Sequence, residues 1–295
     1  MKEKAFIGVD FGGTKVFTGA INRKGEVLCE PARVPTNGTD KAESIIGRVK
    51  DSIETVIDRI DTEMFEIAGI GLGVTGPLDI KNGTILDCPQ LPTLHNFQLR
   101  NEIAKQYPKI PVFMNNDANC LIYGETLFGN GDGKDIVVGF TLGTGLGCAV
   151  IVNKKIFLGS TESAGEIWTS PYKDGIIEDF VSGAGVCKIY NSICGGDKTS
   201  VEIFNLAEDG DENALKTWKE FGRHLAVAMS WTVNVIDPEI IILGGSVAKA
   251  YKFFAPSMEE NFRKNICSIP AERIKIVPAV LGDNAGFIGA ACLAL

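Results

Sequence analysis

Two stretches of this chain place glycines, hydroxyls and an ammonium group where an anion could be held: VDFGGTK from Val9 and FTLGTGLG from Phe140. Aligning Asp10 with Thr141 also aligns Gly8 with Gly139 and Gly12 with Gly143, and an apolar β-branched run flanks each copy. Glycine gives access to positive φ and lets main-chain N–H groups converge on an anion. Gly12, Gly13, Thr14 and Lys15 at one tip, and Thr141, Gly143, Thr144 and Gly145 at the other, supply backbone, hydroxyl and ammonium donors suited to a polyphosphate. A single GGTK would indicate only a turn, whereas two such hairpins half a chain apart point to an internal duplication. The P-loop pattern GxxxxGK[ST] is absent, and GTGLG opens onto a strand rather than a helix, which disfavours a Rossmann dinucleotide site.

Asp117 follows Asn115 and Asn116 directly after the strand VFM, at the carboxyl end where open α/β sheets present their ligand sites. On the residues alone it serves equally as a general base or as part of an Asn-Asp cap on the next helix. Asp10 ends an apolar strand beside the first glycines and suits the water shell of Mg²⁺, which takes one or two carboxylates plus phosphate oxygens. Gly244, Gly245 and Ser246 lie between a strand and a helix, where small residues let adenine and ribose approach the backbone or simply make a tight turn. Gly76, in the turn TGPLD, and Asn116 are grouped with the substrate.

These residues need strands to end at them. AFIGVD and VFTGAI bracket the first glycines, and DIVVGFT and CAVIV the second, so each copy reads as a β-hairpin, the second continuing into KIFLG. GEVLCE reads as a further strand, EIAGIGLGV as a buried one, and VFMN and EIIILGG as two more. Apolar residues three or four apart (Ile45, Val49, Ile53, Val56, Ile60) predict a helix over 40–60. Others are expected over 99–107, 118–128, 177–235 with breaks near Gly195-Gly196 and Gly210, 248–265 and 284–293. The fold class is α/β.

A length of 295 residues with 45% hydrophobic and 22% charged residues suits about two domains with two cores. The apolar runs are too short or glycine-broken to span a bilayer, and Lys2, Glu3 and Lys4 follow Met1 instead of a signal sequence, so a cytoplasmic protein is expected. A formal charge of −8 without a basic cluster disfavours nucleic acid. The eight cysteines show no CxxC spacing and read mostly as reduced core thiols. His224, beside Leu225 on a helix, reads as a satisfied helix-face residue, and His95 has no assigned role.

DFGGTK, MNNDANC, TLGTGLG and IIILGGS, in this order, resemble the ROK family of sugar kinases over nearly the whole chain. The resemblance implies two similar actin/hexokinase-like (ribonuclease H-like) domains, 1–115 plus 283–295 and 116–282, with an active-site cleft between them. It implies ATP and Mg²⁺ as cofactors, with Asp117 as general base, Asp10 near the metal, and a homodimer. The family reads sugar hydroxyls with glutamates in a GExGH stretch and after a cysteine loop CxCGxxGC. Here GEIWT keeps Gly165 and Glu166, and DGIIEDF keeps Gly175 and Glu178. Trp168 is read as taking the histidine's place, and the cysteine loop is deleted, so no structural zinc is expected.

The leading expectation is an ATP-dependent hexose kinase making glucose 6-phosphate from glucose, with N-acetylmannosamine, allose, fructose or mannose as alternative acceptors. A sugar-sensing ROK regulator is the second reading; Asp117, both hairpins and the lack of a helix-turn-helix ahead of the first hairpin weigh against it. A chaperone- or actin-like ATPase module is the third, for which the length leaves little room for a partner domain.

Overall fold

A computed structural model describes residues 2–295. The first part of the chain forms β1 (Glu3–Phe11), β2 (Lys15–Ile21), β3 (Ala32–Pro35), α1 (Ala42–Arg59), β4 (Phe65–Val74), the ribbon β5 (Leu78–Asp79) and β6 (Thr84–Ile85), α2 (Leu99–Gln106), β7 (Val112–Asn116) and α3 (Asp117–Phe128). Next come β8 (Ile136–Leu142), β9 (Leu146–Val152), β10 (Lys155–Ile156), the ribbon β11 (Pro171–Tyr172) and β12 (Gly175–Ile176), α4 (Gly183–Cys194), α5 (Ser200–Glu208) and α6 (Glu212–Ile236). The chain finishes with β13 (Ile240–Gly244), α7 (Tyr251–Asn265), α8 (Ser268–Arg273), β14 (Lys275–Pro278) and α9 (Ala285–Cys292).

The duplication is visible in the topology. One sheet has the order β3-β2-β1-β4-β7 and the other β10-β9-β8-β13-β14. In each, two antiparallel pairs precede two parallel ones. GEVLCE departs from its expected strand: only Val27 makes a bridge, to Ile21, and Ala32–Pro35 supplies the edge strand instead. The long helical stretch breaks at both predicted glycine sites, into α4, α5 and α6. Among the described residues no helix is long and apolar enough to cross a membrane.

The chain divides into two compact units, the first running to Asp132 and taking in Val280–Leu295, the second Gly133–Ala279. The expected boundary at 115/116 therefore moves to 132/133, and that at 282/283 to 279/280. The reason is the packing of α3, whose Gly124 and Cys120 lie directly against Gly289 of α9. Glu125, fully buried on α3, also accepts the Val280 and Leu281 N–H groups at 2.8 and 2.7 Å, which ties the returning chain to the first unit.

Within the first unit, period-two alternation along β1 sends Ala5, Ile7, Val9 and Phe11 into one core with α1, and Phe6 into a second core with Phe17, Phe287 and Ile288. Gly8 and Asp10 share the face of Phe6. Gly8 and Gly71 let α9 settle onto the sheet: a Cβ at Gly8 would lie 1.8 Å from the Phe287 carbonyl oxygen, and one at Gly71 1.7 Å from that of Ala290. In the second unit Val138, Phe140 and Leu142 of β8 join Trp218, Phe221, Leu225 and Phe254 of α6 and α7 in a single core. Cys88, Cys120, Cys148 and Cys292 are buried thiols, whereas Cys194 and Cys267 are exposed.

Candidate active site

In the first unit three strands end side by side. Strand register sets Asp10 beside Gly73 and Gly73 beside Asn115, with Phe11, Val74 and Asn116 one step further on. The capping role that competes for Asp117 falls on Asn116, whose Oδ1 accepts the Ala118 and Asn119 N–H groups at 2.9 and 3.4 Å. Asn115 steadies the corner, its Oδ1 accepting Asn116 N–H at 2.8 Å and Asn119 Nδ2 at 2.9 Å. Asp117 is thus the first helical residue, with Oδ1 on Ala118 N–H at 2.8 Å. Gly76 joins this group, since a Cβ there would stand 3.3 Å from Asn116 Nδ2.

The tip between Phe11 and Val16 closes through Gly12 N–H on the Lys15 carbonyl at 3.0 Å. Thr36, fully buried, holds the tip from its carbonyl side: its hydroxyl donates to Gly12 O at 2.6 Å and its N–H to Thr14 O at 2.9 Å. Positive φ is not what the tip glycines supply, because Gly12, Gly13, Gly143 and Gly145 are absent from the left-handed positions. Gly13 instead admits Gln90, which a Cβ would meet at 2.5 Å, while at Gly12 a Cβ would meet nothing nearer than 3.8 Å. Asp10 lies 3.5 Å from Lys15 Nζ, and burial raises its pKa against the pull of Lys15 and Arg33. It packs on α9, since a Cβ at Gly286 would lie 2.7 Å from its Cγ. Thr36 and Gln90 escaped the sequence reading because neither sits in a patterned stretch.

The second unit repeats the tip between Leu142 and Leu146, closed by Gly143 N–H on Gly145 O at 3.0 Å. Gly183, opening α4, donates its N–H to Gly143 O at 2.8 Å. Register sets Thr141 between Gly147 and Gly244. The turn of Gly244, Gly245 and Ser246 abuts the hairpin: Gly245 has φ +88°, with its missing Cβ 2.4 Å from Leu142 O. At Gly143 a Cβ would find Ser246 Oγ no nearer than 3.9 Å, so open space adjoins the backbone at the position equivalent to Gly12. Thr144 lies at the tip itself. Each tip taken by itself has open backbone with a threonine beside it, Thr14 or Thr144, and the first also has Lys15; such groups could hold phosphate, and Asp10 could hold a hydrated Mg²⁺.

Glu178 sits under the second tip. It accepts Leu146 N–H at 2.8 Å, and a Cβ at Gly145 would fall 2.4 Å from its Oε2. Burial raises its pKa; Leu146 N–H opposes this, and the charges of Asp179 and Glu166 add to it. Glu166 precedes a 3-10 turn at Ile167–Thr169, and Trp168 Nε1 donates to its Oε2. Trp168 does not take the histidine's place: along GExGH it occupies the second glycine position, and Thr169 that of the histidine. Trp168 packs on the second-unit core and holds Glu166. Among the described residues no group of three or more His, Cys, Asp or Glu is placed to hold a metal ion. His95 is exposed, 3.6 Å from Asp87.

Two sheets of one strand order, each with a glycine hairpin tip, have the architecture of ROK hexokinase-fold kinases. The chain belongs to the ROK family, which it matches over residues 6–295. It is 28% identical to a glucokinase of Thermotoga maritima across 99% of this chain and 98% of that protein. It is 29% identical to an N-acetyl-D-glucosamine kinase of Vibrio parahaemolyticus, covering 98% and 99%. The crystal structure of a ROK glucokinase from Streptomyces griseus with glucose and AMPPNP superposes with a TM-score of 0.82 at 26% identity, covering 98% of each chain.

Proposed function

We propose that this protein is an ATP-dependent hexose kinase that transfers the γ-phosphate to a sugar hydroxyl, with glucose, giving glucose 6-phosphate, as the leading acceptor. The observation that supports the reading is the place of Asp117 at the carboxyl end of β7: Asn116 is the N-cap of α3, and Asp117 is its first helical residue, with Oδ1 sharing Ala118 N–H. Asp117 then takes the proton of the attacking hydroxyl, while Gly76 and Asn116 border the sugar. Gly12, Gly13, Thr14 and Lys15, and Thr141, Gly143, Thr144 and Gly145, donate to the phosphates. Gly244, Gly245 and Ser246 receive the nucleoside. Mg²⁺ bound with ATP would spread the phosphate charge, and Asp10 would hold its water shell. Glu166 and Glu178 accept from sugar hydroxyls, which charge-assisted bonds can read with direction.

The kinase names of the relatives support this class, and their division between glucose and N-acetylglucosamine leaves the acceptor to experiment. A homodimer in the cytoplasm, acting on a small sugar and on neither nucleic acid nor membrane, belongs to the same proposal. ADP release should rise from a low basal level when one hexose of a panel is added, the panel including glucose, N-acetylglucosamine, N-acetylmannosamine, allose, fructose and mannose. ADP release indifferent to every sugar overturns the reading. Asp117→Asn should lower kcat by roughly 10²- to 10⁴-fold with sugar and nucleotide binding little changed, the usual worth of a positioned base. Lost sugar affinity with full turnover at saturation would make Asp117 a binding residue instead.

A further inference from the structure

One cluster in the second unit has no part in the reaction as proposed, yet adjoins a residue that does. Tyr172, at the end of β11, stands edge-on to three rings: Phe180 at 5.2 Å, His224 at 5.6 Å and Trp231 at 6.0 Å between centroids, with interplanar angles of 90°, 78° and 74°. Phe180 and His224 are themselves 5.1 Å apart. The Tyr172 hydroxyl lies 2.9 Å from His224 Nδ1. With its proton on Nε2, 3.5 Å from Glu220 Oε1, the imidazole presents Nδ1 as an acceptor, and Tyr172 donates to it. Lys173 Nζ lies 5.6 and 5.2 Å from the Tyr172 and Phe180 ring centres, and Lys188 Nζ 4.5 Å from that of Phe180.

This cluster fixes a short ribbon. Tyr172 pairs with Gly175 across a turn in which Lys173 takes φ 51°. Asp179 Oδ2 accepts Ile176 N–H at 2.9 Å, and Ile177 N–H donates to Ser170 O at 3.0 Å. The next residue after Ile177 is Glu178, whose carboxylate holds Leu146 N–H at the hairpin tip. Glu178 is therefore bracketed by Tyr172 on one side of the chain and Phe180 on the other, both packed on His224, a side chain only 4% exposed.

We propose that Tyr172 and His224 are positioning residues: their hydrogen bond, inside the ring cluster on α6, holds the β11–β12 ribbon so that the Glu178 carboxylate stays on the hairpin tip. The consequence for sugar binding rests on the assignment of Glu178 above, whereas the consequence for the tip does not.

Tyr172→Phe removes the hydroxyl and keeps the ring; His224→Gln tests the other partner. The primary readout is amide exchange of Leu146 by NMR, with amides of α1 as a remote reference. In both variants Leu146 should exchange about 3- to 10-fold faster, the size expected for one net hydrogen bond, with α1 unchanged. Where a hexose is turned over, its KM should rise by a similar factor while kcat and the ATP KM stay within about twofold, and Tyr172→Phe should add little in a Glu178→Gln background. Unchanged Leu146 exchange overturns the proposal, as does acceleration shared equally by α1, which marks a merely structural role. If no sugar is turned over by the unaltered protein the kinase reading fails, and Leu146 exchange still decides this one.

Discussion

Glu166 and Glu178 share a proposed task but are held differently. Glu178 is half-buried with one oxygen on a backbone N–H, and Glu166 is steadied by an indole. Replacing either with Gln should weaken binding of the accepted sugar by about 1–3 kcal/mol, the range for hydrogen bonds to charged groups. A deoxy sugar lacking the recognised hydroxyl should lose little further affinity in the matching variant; titration calorimetry that returned additive losses for every analogue would remove the contact. His224 gives a second expectation. Burial, followed by Lys173, lowers its pKa from 6.5 to about 4, against the opposing charge of Glu220. Because the folded value lies below the unfolded one, the unfolded chain binds more protons between about pH 4 and 6.5. Stability on this account is full above pH 6.5 and falls as pH drops towards 4. The group contributes roughly 3 kcal/mol at neutral pH. Urea midpoints at pH 5 and 7 should differ less in His224→Gln than in the parent, and identical pH dependence in the two would assign the acid sensitivity elsewhere.

A strand glycine, Gly71 of β4, and a helix glycine, Gly47 of α1, stand in opposite surroundings. At Gly71 the sheet meets the backbone of α9 with no room for a methyl group, the Ala290 oxygen lying 1.7 Å from the would-be Cβ. Gly71→Ala must push α9 off the sheet and with it the segment that covers Asp10; a loss of about 3 kcal/mol or more is expected, beyond the usual cost of overpacking. Gly47, inside α1, has nothing within 4 Å of its would-be Cβ. Gly47→Ala should stabilise by about 0.5–1 kcal/mol through helix propensity alone. Chemical denaturation of the pair tests the contrast, and equal effects would show that α9 yields freely. The sequence predicts α1 by periodicity, a buried strand over EIAGIGLGV and a last helix over 284–293, but not this difference, because closeness of approach depends on which element lies across the sheet.

At the scale of the molecule, duplication organises the chain: two sheets share one strand order, and each presents a hairpin tip with open space at the equivalent glycine, Gly12 or Gly143. No cysteine lies between Trp168 and Glu178, so the purified protein is expected to carry no stoichiometric zinc. Elemental analysis after dialysis against a chelator should find well under one zinc per chain; one retained zinc would mean ligands drawn from outside the groups recognised in the sequence. Binding of the accepted sugar with nucleotide should raise the thermal midpoint by mass action, in proportion to ligand over its Kd. An unchanged midpoint under saturating ligands would count against the proposed site.

The duplicated α/β plan, the two hairpins, most helices and the candidates Asp10 and Asp117 are legible in the order of residues along the chain. These are local patterns: period-two and period-3.6 burial and glycine at turns are written in neighbours along the chain. Tertiary structure alone decided that Asn116 and not Asp117 caps α3, and that α3 belongs with α9. It also put Ala32–Pro35, rather than GEVLCE, at the sheet edge, and set Glu178 on Leu146 behind Tyr172 and His224. Apart from the cap, whose N–H groups are only two and three residues from Asn116, these depend on partners far along the chain, as when Glu125 receives the N–H groups of Val280 and Leu281. A buried donor or acceptor takes whichever partner the packing brings to it, and no spacing along the chain records that choice.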